Sequence, residues 1–132
     1  MEAVFRQTHT LTDIHVDCFG RLKASVLLYL AQEAAGGHCI ALHTDWQTLK
    51  EQNMFWAIIR HRVQITRMPM KGETITVETW PLPTTRSAYP RSTVAYDEKG
   101  QEVFRTIGLW VLMDTRSRKM ILPAKSGVLV PG

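Results

Sequence analysis

The sequence predicts an α+β domain in which one curved antiparallel sheet closes over one long helix. Three observations carry this. The stretch Lys23–Leu42, KASVLLYLAQEAAGGHCIAL, is almost wholly apolar and has helical length. At least four strand-like segments follow it, and no second long helix is there to share its burial. A helix with hardly a face suited to water has to be wrapped, and a curved sheet is the element that can do so.

The elements follow in order. Val4–Leu11 alternates loosely and predicts a first strand. Asp13–Lys23, DIHVDCFGRLK, reads as a loop turning at Gly20. The helix then spans roughly 30 Å at 1.5 Å per residue, with Leu27, Leu30, Ala31, Ala34, His38 and Ala41 recurring at helical spacing. Ala34–Gly37 leaves a stretch without bulk, which suits close approach by a strand. Thr44–Asn53 reads as a short second helix with Thr44 or Asp45 as its cap. Four strands are predicted after it: Phe55–Thr66, Glu73–Trp80, Arg86–Asp97 and Gln101–Asp114. In the first of these, Trp56, Ile58, Arg60 and Arg62 fall on one face under simple alternation. Turns are expected at Pro69–Gly72, at Asp97–Gly100 and at Thr115–Arg118, and Pro123 is expected to end the ordered part. No linker or internal repeat divides the 132 residues, so 1–132 is expected to form one domain. Long strands around a single helix make the hot-dog arrangement. An isolated sheet of this kind leaves an open edge, so a homodimer or a dimer of dimers is expected.

Composition excludes several function classes. The net charge is +4, and the basic residues are spread along the chain without a dense run or a nucleic-acid motif, so no nucleic-acid partner is expected. The longest apolar run is broken by Gln32, Glu33 and His38, so no membrane span is expected. The first residues, MEAVFRQTHT, lack the pattern of a signal peptide. Cys18 and Cys39 form neither a disulfide framework nor a metal-ligand spacing. A reduced, cytoplasmic setting is therefore expected, and neither a metal nor another cofactor is called for.

From Val4 to Pro123 the chain resembles the first hot-dog half of the acyl-carrier-protein thioesterases. Five segments carry the likeness in the family's order. They are Tyr29–His38 (YLAQEAAGGH), Phe55–Val63 (FWAIIRHRV) with Trp56 and Arg60, Pro69–Trp80 (PMKGETITVETW), the basic strand with Arg86 and Arg91, and Gly108–Pro123 (GLWVLMDTRSRKMILP). The resemblance implies hydrolysis of fatty acyl thioesters of acyl carrier protein or coenzyme A, in fatty acid biosynthesis. It also brings two departures. Family members fuse two hot-dog halves, and this chain has one. Their catalytic D-x-N-x-H motif is unmatched; the loop before the helix reads Asp17-Cys18-Phe19-Gly20-Arg21.

Hot-dog enzymes commonly use a carboxylate near the central helix, with a backbone amide at its N-terminus holding the oxyanion. Asp17 is the first candidate base, and a loop cap is its bland alternative. Glu33 is the second, a carboxylate in an otherwise apolar helix. Gln32 and Glu33 are about 100° apart round the helix, so at most one is expected to face a deep site. The amides of Gly20 and Arg21 are candidate oxyanion donors. His38 is expected to be a hydrogen-bonded core residue, and Cys18 a bystander. Leu27, Leu30, Trp56 and Trp80 could line an acyl tunnel, with ordinary core as the alternative. Arg60, Arg62, Arg86 and Arg91 could form a basic patch that steers an acidic carrier or coenzyme A phosphates. Three functions follow: an acyl thioesterase, a non-catalytic acyl-thioester binding module, and a dehydratase or hydratase. The last lacks the histidine and carboxylate pairing expected in the loop.

Overall fold

The computed structural model of the chain describes residues 3–131. The strands are β1 (Phe5–Thr10), β2 (Met54–Ile65), β3 (Thr74–Pro81), β4 (Tyr89–Tyr96), β5 (Glu102–Asp114) and β6 (Met120–Ile121). The helices are α1 (Ala24–Ala41), α2 (Trp46–Glu51) and α3 (Pro123–Ser126). The sheet runs β1-β3-β4-β5-β2, and all its pairings are antiparallel. β6 pairs with Leu112 and Met113 of β5, beyond the point where β4 ends opposite Trp110. It thus extends the β4 side of the sheet.

Helix α1 packs on the concave face through Leu27, Leu30, Ala31, Ala34, Ala35 and His38. Its end is set by backbone geometry. His43 adopts a left-handed φ of 59°. The amide of Thr44 then donates to the Cys39 carbonyl at 2.8 Å and that of His43 to Ile40 at 3.2 Å, satisfying carbonyls that the last turn leaves over. The wrapping is one-sided, which corrects the sequence expectation. Leu28, Tyr29 and Ile40 are exposed, together with Ser25, Gln32, Glu33 and Gly36. The apolar character of the helix therefore overstates how much of it this sheet covers.

Two apolar clusters fill the concave face. One joins Leu27, Leu30 and Ala34 to Leu11, Leu22, Ile75, Val77 and Phe104. The other joins Leu49, Met54, Tyr89, Leu112 and Val128, with Trp56 and Trp110 against it. Leu27 and Leu30 are each 1% exposed inside the first cluster, so they are core and not tunnel lining. Trp80 alternates away from buried Thr79 and lies on the outer face of β3, outside any tunnel.

Two further expectations change. A bulge at Ile59 breaks the alternation of β2: Ile58 opposes Trp110 and Arg60 opposes Leu109. An extra residue re-aims everything after it. Trp56 and Ile58 face inward before the bulge, and His61 faces inward after it. Arg60 and Arg62 turn to solvent instead of sharing the face of Trp56. Nor does Pro123 end the ordered part. It opens α3, and the segment beyond returns to the core, where Val128 is buried and its carbonyl accepts from the Tyr89 hydroxyl at 3.2 Å.

Gly36 and Gly37 are adjacent and opposite in consequence. A Cβ on Gly37 would sit 2.7 Å from the Phe5 ring, whereas one on Gly36 meets nothing within 4 Å. We expect Gly37→Ala to destabilise by about 1–3 kcal/mol through overpacking. Gly36→Ala should stabilise by about 0.5–1 kcal/mol, since glycine inside a helix costs that much. Urea unfolding of the two variants checks the opposite signs.

Candidate acyl-binding groove

A groove of about 830 Å³ opens along the exposed side of α1. Tyr29, Gln32, Glu33, Gly36, Cys39 and Ile40 of α1 form one wall, and Thr44–Gln47 at the start of α2 forms the next. Trp56 of β2, Tyr89–Arg91 of β4 and Trp110 of β5 form the floor, with Gln7 and Val130 at its margins. The aromatic floor is fixed by packing. The Trp56 ring stands edge-on to Tyr89 at 5.0 Å and to Trp110 at 6.5 Å, and its Nε1 donates to the Thr44 carbonyl at 2.9 Å.

Beyond the aromatic floor the concave face turns polar. Thr79, Thr93 and Thr106 lie opposite one another across β3, β4 and β5, and all three are buried. Thr93 Oγ1 donates to Thr79 Oγ1 at 3.0 Å, and Thr79 Oγ1 donates to the Ser92 carbonyl at 2.8 Å. Next to this row lies Arg91, 6% exposed. Its Nη1 donates to His38 Nδ1 at 2.9 Å and to Thr79 Oγ1 at 3.3 Å. A guanidinium has no acceptor to offer, so the bond requires an unprotonated Nδ1 on His38. The His38 ring in turn stacks on Phe5 at 5.7 Å. Burial pulls Arg91 below the ordinary arginine value, with Cys39 acting in the opposite direction. Arginine remains charged even so. Behind Arg91 is a second, very small cavity of about 10 Å³, with His61, Thr93 and Thr106 on its walls. Burial lowers the pKa of His61 as well.

The candidate residues separate cleanly. Glu33, Trp56 and Arg91 line the groove. Gln32 lines it beside Glu33, against the expectation that at most one of them would face the site. Asp17, Gly20, Arg21, Leu27, Leu30 and Arg86 do not line it. The loop explains Asp17: its Oδ1 accepts from the amides of Phe19 at 2.9 Å and Arg21 at 3.0 Å. The Gly20 amide is engaged by the Asp17 carbonyl at 3.0 Å. Neither proposed oxyanion amide is therefore available in this loop, and Asp17 is its organiser, while Cys18 is exposed beside it. Arg91 leaves the basic patch because it points inward; Arg60, Arg62 and Arg86 remain exposed. His38 is the hydrogen-bonded core residue expected of it. Missed in the sequence were Tyr89 and Trp110, which face each other across β4 and β5. Tyr89 shares the i, i+2 face of Arg91, and that spacing is the signal that could have found the aromatic floor.

An antiparallel sheet of this order around one helix makes the molecule a hot-dog domain, the fold of known thioesterases. Residues 2–124 match the family model described as the acyl-ACP thioesterase N-terminal domain, and the chain belongs to that family. A chloroplastic acyl-[acyl-carrier-protein] hydrolase of Cuphea viscosissima is 21% identical over 88% of this chain and 30% of its own length. An acyl-ACP thioesterase from Bacteroides thetaiotaomicron superposes with a TM-score of 0.87 at 24% identity, over 98% of this chain and 58% of that one. A 12:0-ACP thioesterase from Umbellularia californica gives 0.83 at 25% identity, over 92% and 50%. The chain thus spans about a third of that curated relative and about half of these two structures.

The loop geometry sets a pH prediction. The amide of Arg21, foremost, then that of Phe19 and the Arg21 charge hold the Asp17 carboxyl below its ordinary value. A depressed carboxyl stabilises the fold above the ordinary carboxylate range, and that contribution fades as pH falls through the lowered value. Asp17→Ala should therefore melt below wild type at neutral pH, and the gap should close in acid. Thermal melts across pH 2–7 check it.

Proposed function

We propose that this chain is an acyl thioesterase that hydrolyses fatty acyl groups carried by acyl carrier protein or coenzyme A, in fatty acid biosynthesis. The observation that carries the reading is the groove: an apolar, aromatic floor of acyl dimensions with two carboxylates on its walls, Glu33 on α1 and Asp45, the latter already accepting a hydrogen bond from the Thr48 hydroxyl at 2.7 Å. Glu33 acts as general base on a water that attacks the thioester carbonyl. The carrier thiol leaves and takes up a proton, and the acid stays on the acyl side.

The working unit in this proposal is a homodimer, set in the cytoplasm, with free Cys18 and Cys39 in keeping with a reducing compartment. Support for the dimer comes from the open face of α1, where Tyr29 is 57% and Ile40 66% exposed beside Trp46 at 63%. β1 and β2 are the two outer strands of the main sheet order, so an edge is open to pairing. Exposed Arg60, Arg62 and Arg86 would meet an acidic carrier or coenzyme A phosphates.

The binding-module reading has its own observation: the amides of Gly20 and Arg21 are already bonded within their loop. A panel of acyl-ACP and acyl-CoA thioesters separates the two. The thioesterase reading expects turnover that falls by about 10²–10⁴-fold in Glu33→Gln, and by less than about tenfold in Asp17→Asn. Binding without hydrolysis hands the assignment to the module. Light scattering should give twice the single-chain mass at micromolar concentration, and a strict monomer would remove the dimer from the proposal.

A further inference from the structure

Among the described residues Arg91 is a buried cation without a counter-charge. Its two partners, His38 Nδ1 and Thr79 Oγ1, are neutral acceptors, and both bonds come from one nitrogen, Nη1. Among the described residues no carboxylate lies within ion-pair distance of it. A guanidinium offers five donors in a flat fork, which leaves capacity for a planar oxyanion. Burying such a charge is costly unless it is paired. A fold that accepts this cost only to join helix to sheet could have used a neutral side chain.

Position sharpens the point. Arg91 lines the groove beside Trp56, Tyr89 and Trp110, and it also borders the small cavity behind. A ligand lying along the aromatic floor would reach its fork. Past Arg91 the face is polar, with Thr79, Thr93, Thr106 and His61. A plain hydrocarbon tail gains nothing by ending there. An apolar chain that terminates in a carboxylate does, because the aromatic floor takes the chain and the guanidinium takes the oxygens.

We infer that the groove selects an acyl ligand bearing a free carboxylate, held by the Arg91 guanidinium at the polar end of the aromatic floor. This rests on the acyl-binding reading above and deepens it. The carboxylate has two sources. It is either the distal group of a dicarboxylate half-thioester substrate or the head group of the fatty acid that hydrolysis releases.

Calorimetry on the full chain tests the contact with decanoate and 1-decanol, equal in length and different in charge. Wild type should bind decanoate at least about tenfold more tightly, and Arg91→Met should lose that preference. Equal binding of the two by wild type overturns the inference, as does a preference that survives in Arg91→Met. Should Arg91→Met not fold, the Arg91 Nε–H resonance of wild type decides. Decanoate should shift it and 1-decanol should not; a resonance indifferent to decanoate overturns the contact. Kinetics with adipoyl and hexanoyl thioesters then names the source. A preference of about tenfold in kcat/KM for the adipoyl half-thioester assigns the carboxylate to the substrate, and equal rates with competitive inhibition by decanoate assign it to the product. If neither thioester is hydrolysed, the enzymatic reading falls, while selectivity for decanoate in the same preparation still upholds this one.

Discussion

The bond from Arg91 to His38 is the constraint around which the rest of the domain is arranged. It is a charged hydrogen bond across the helix–sheet junction, made where water is excluded. Such a bond is strong in place and costly to break, because breaking it strands a buried charge. Its geometry fixes more than two residues. His38 must present an unprotonated Nδ1, so its ring plane is set, and Phe5 stacks on that plane. The ring of Phe5 then occupies the space where a side chain at position 37 would stand, so that position is glycine. Rotation of α1 about its axis would break each of these contacts together.

The same bond explains why the core is divided. Apolar clusters lie at the two ends of the concave face, and the band of Thr79, Thr93 and Thr106 lies between them. A threonine row in a sheet interior would ordinarily weaken packing relative to valine, because each hydroxyl needs a partner. Here the Thr93 hydroxyl donates to that of Thr79, which donates in turn to the Ser92 carbonyl and also receives a bond from Arg91. The polar band is thus the local environment that makes a buried guanidinium tolerable. It also stops the apolar floor of the groove short of the larger cluster.

How much of this the sequence disclosed follows from which forces act locally. The strands and α1 were legible because alternation and helical spacing are local patterns: β3 alternates strictly in burial from Thr74 to Pro81. The face of β2 was not legible beyond Ile58, because a bulge depends on pairing with β5 and leaves the sequence itself unmarked. The direction of Arg91 was hidden for a related reason. An arginine on a strand reads as surface, and only the placement of His38 across the junction makes the inside tolerable. The role of Asp17 was half legible: an aspartate four residues before an arginine suits a loop, and both the site and the cap reading were open. Backbone amides decided between them. The return of Val128 to the core gave no local sign, since one valine in a short tail carries no period.

The exposed side of α1 connects these threads to chemistry. Leu28, Tyr29 and Ile40 are exposed apolar residues on the side of α1 that this sheet leaves uncovered, with Gln32, Glu33 and Gly36 between them along the strip. Glu33 stands within that strip, on the wall of the groove and open to water. A carboxylate in that position is hydrated and shares its reach with bulk solvent. Covering the strip would expel that water, close the groove over its aromatic floor and strengthen every electrostatic contact inside. The part of the site already buried, Arg91 with its threonines, needs no such cover. One end of the groove is therefore enclosed within the chain, and the other stays open to solvent unless a second surface lies against α1.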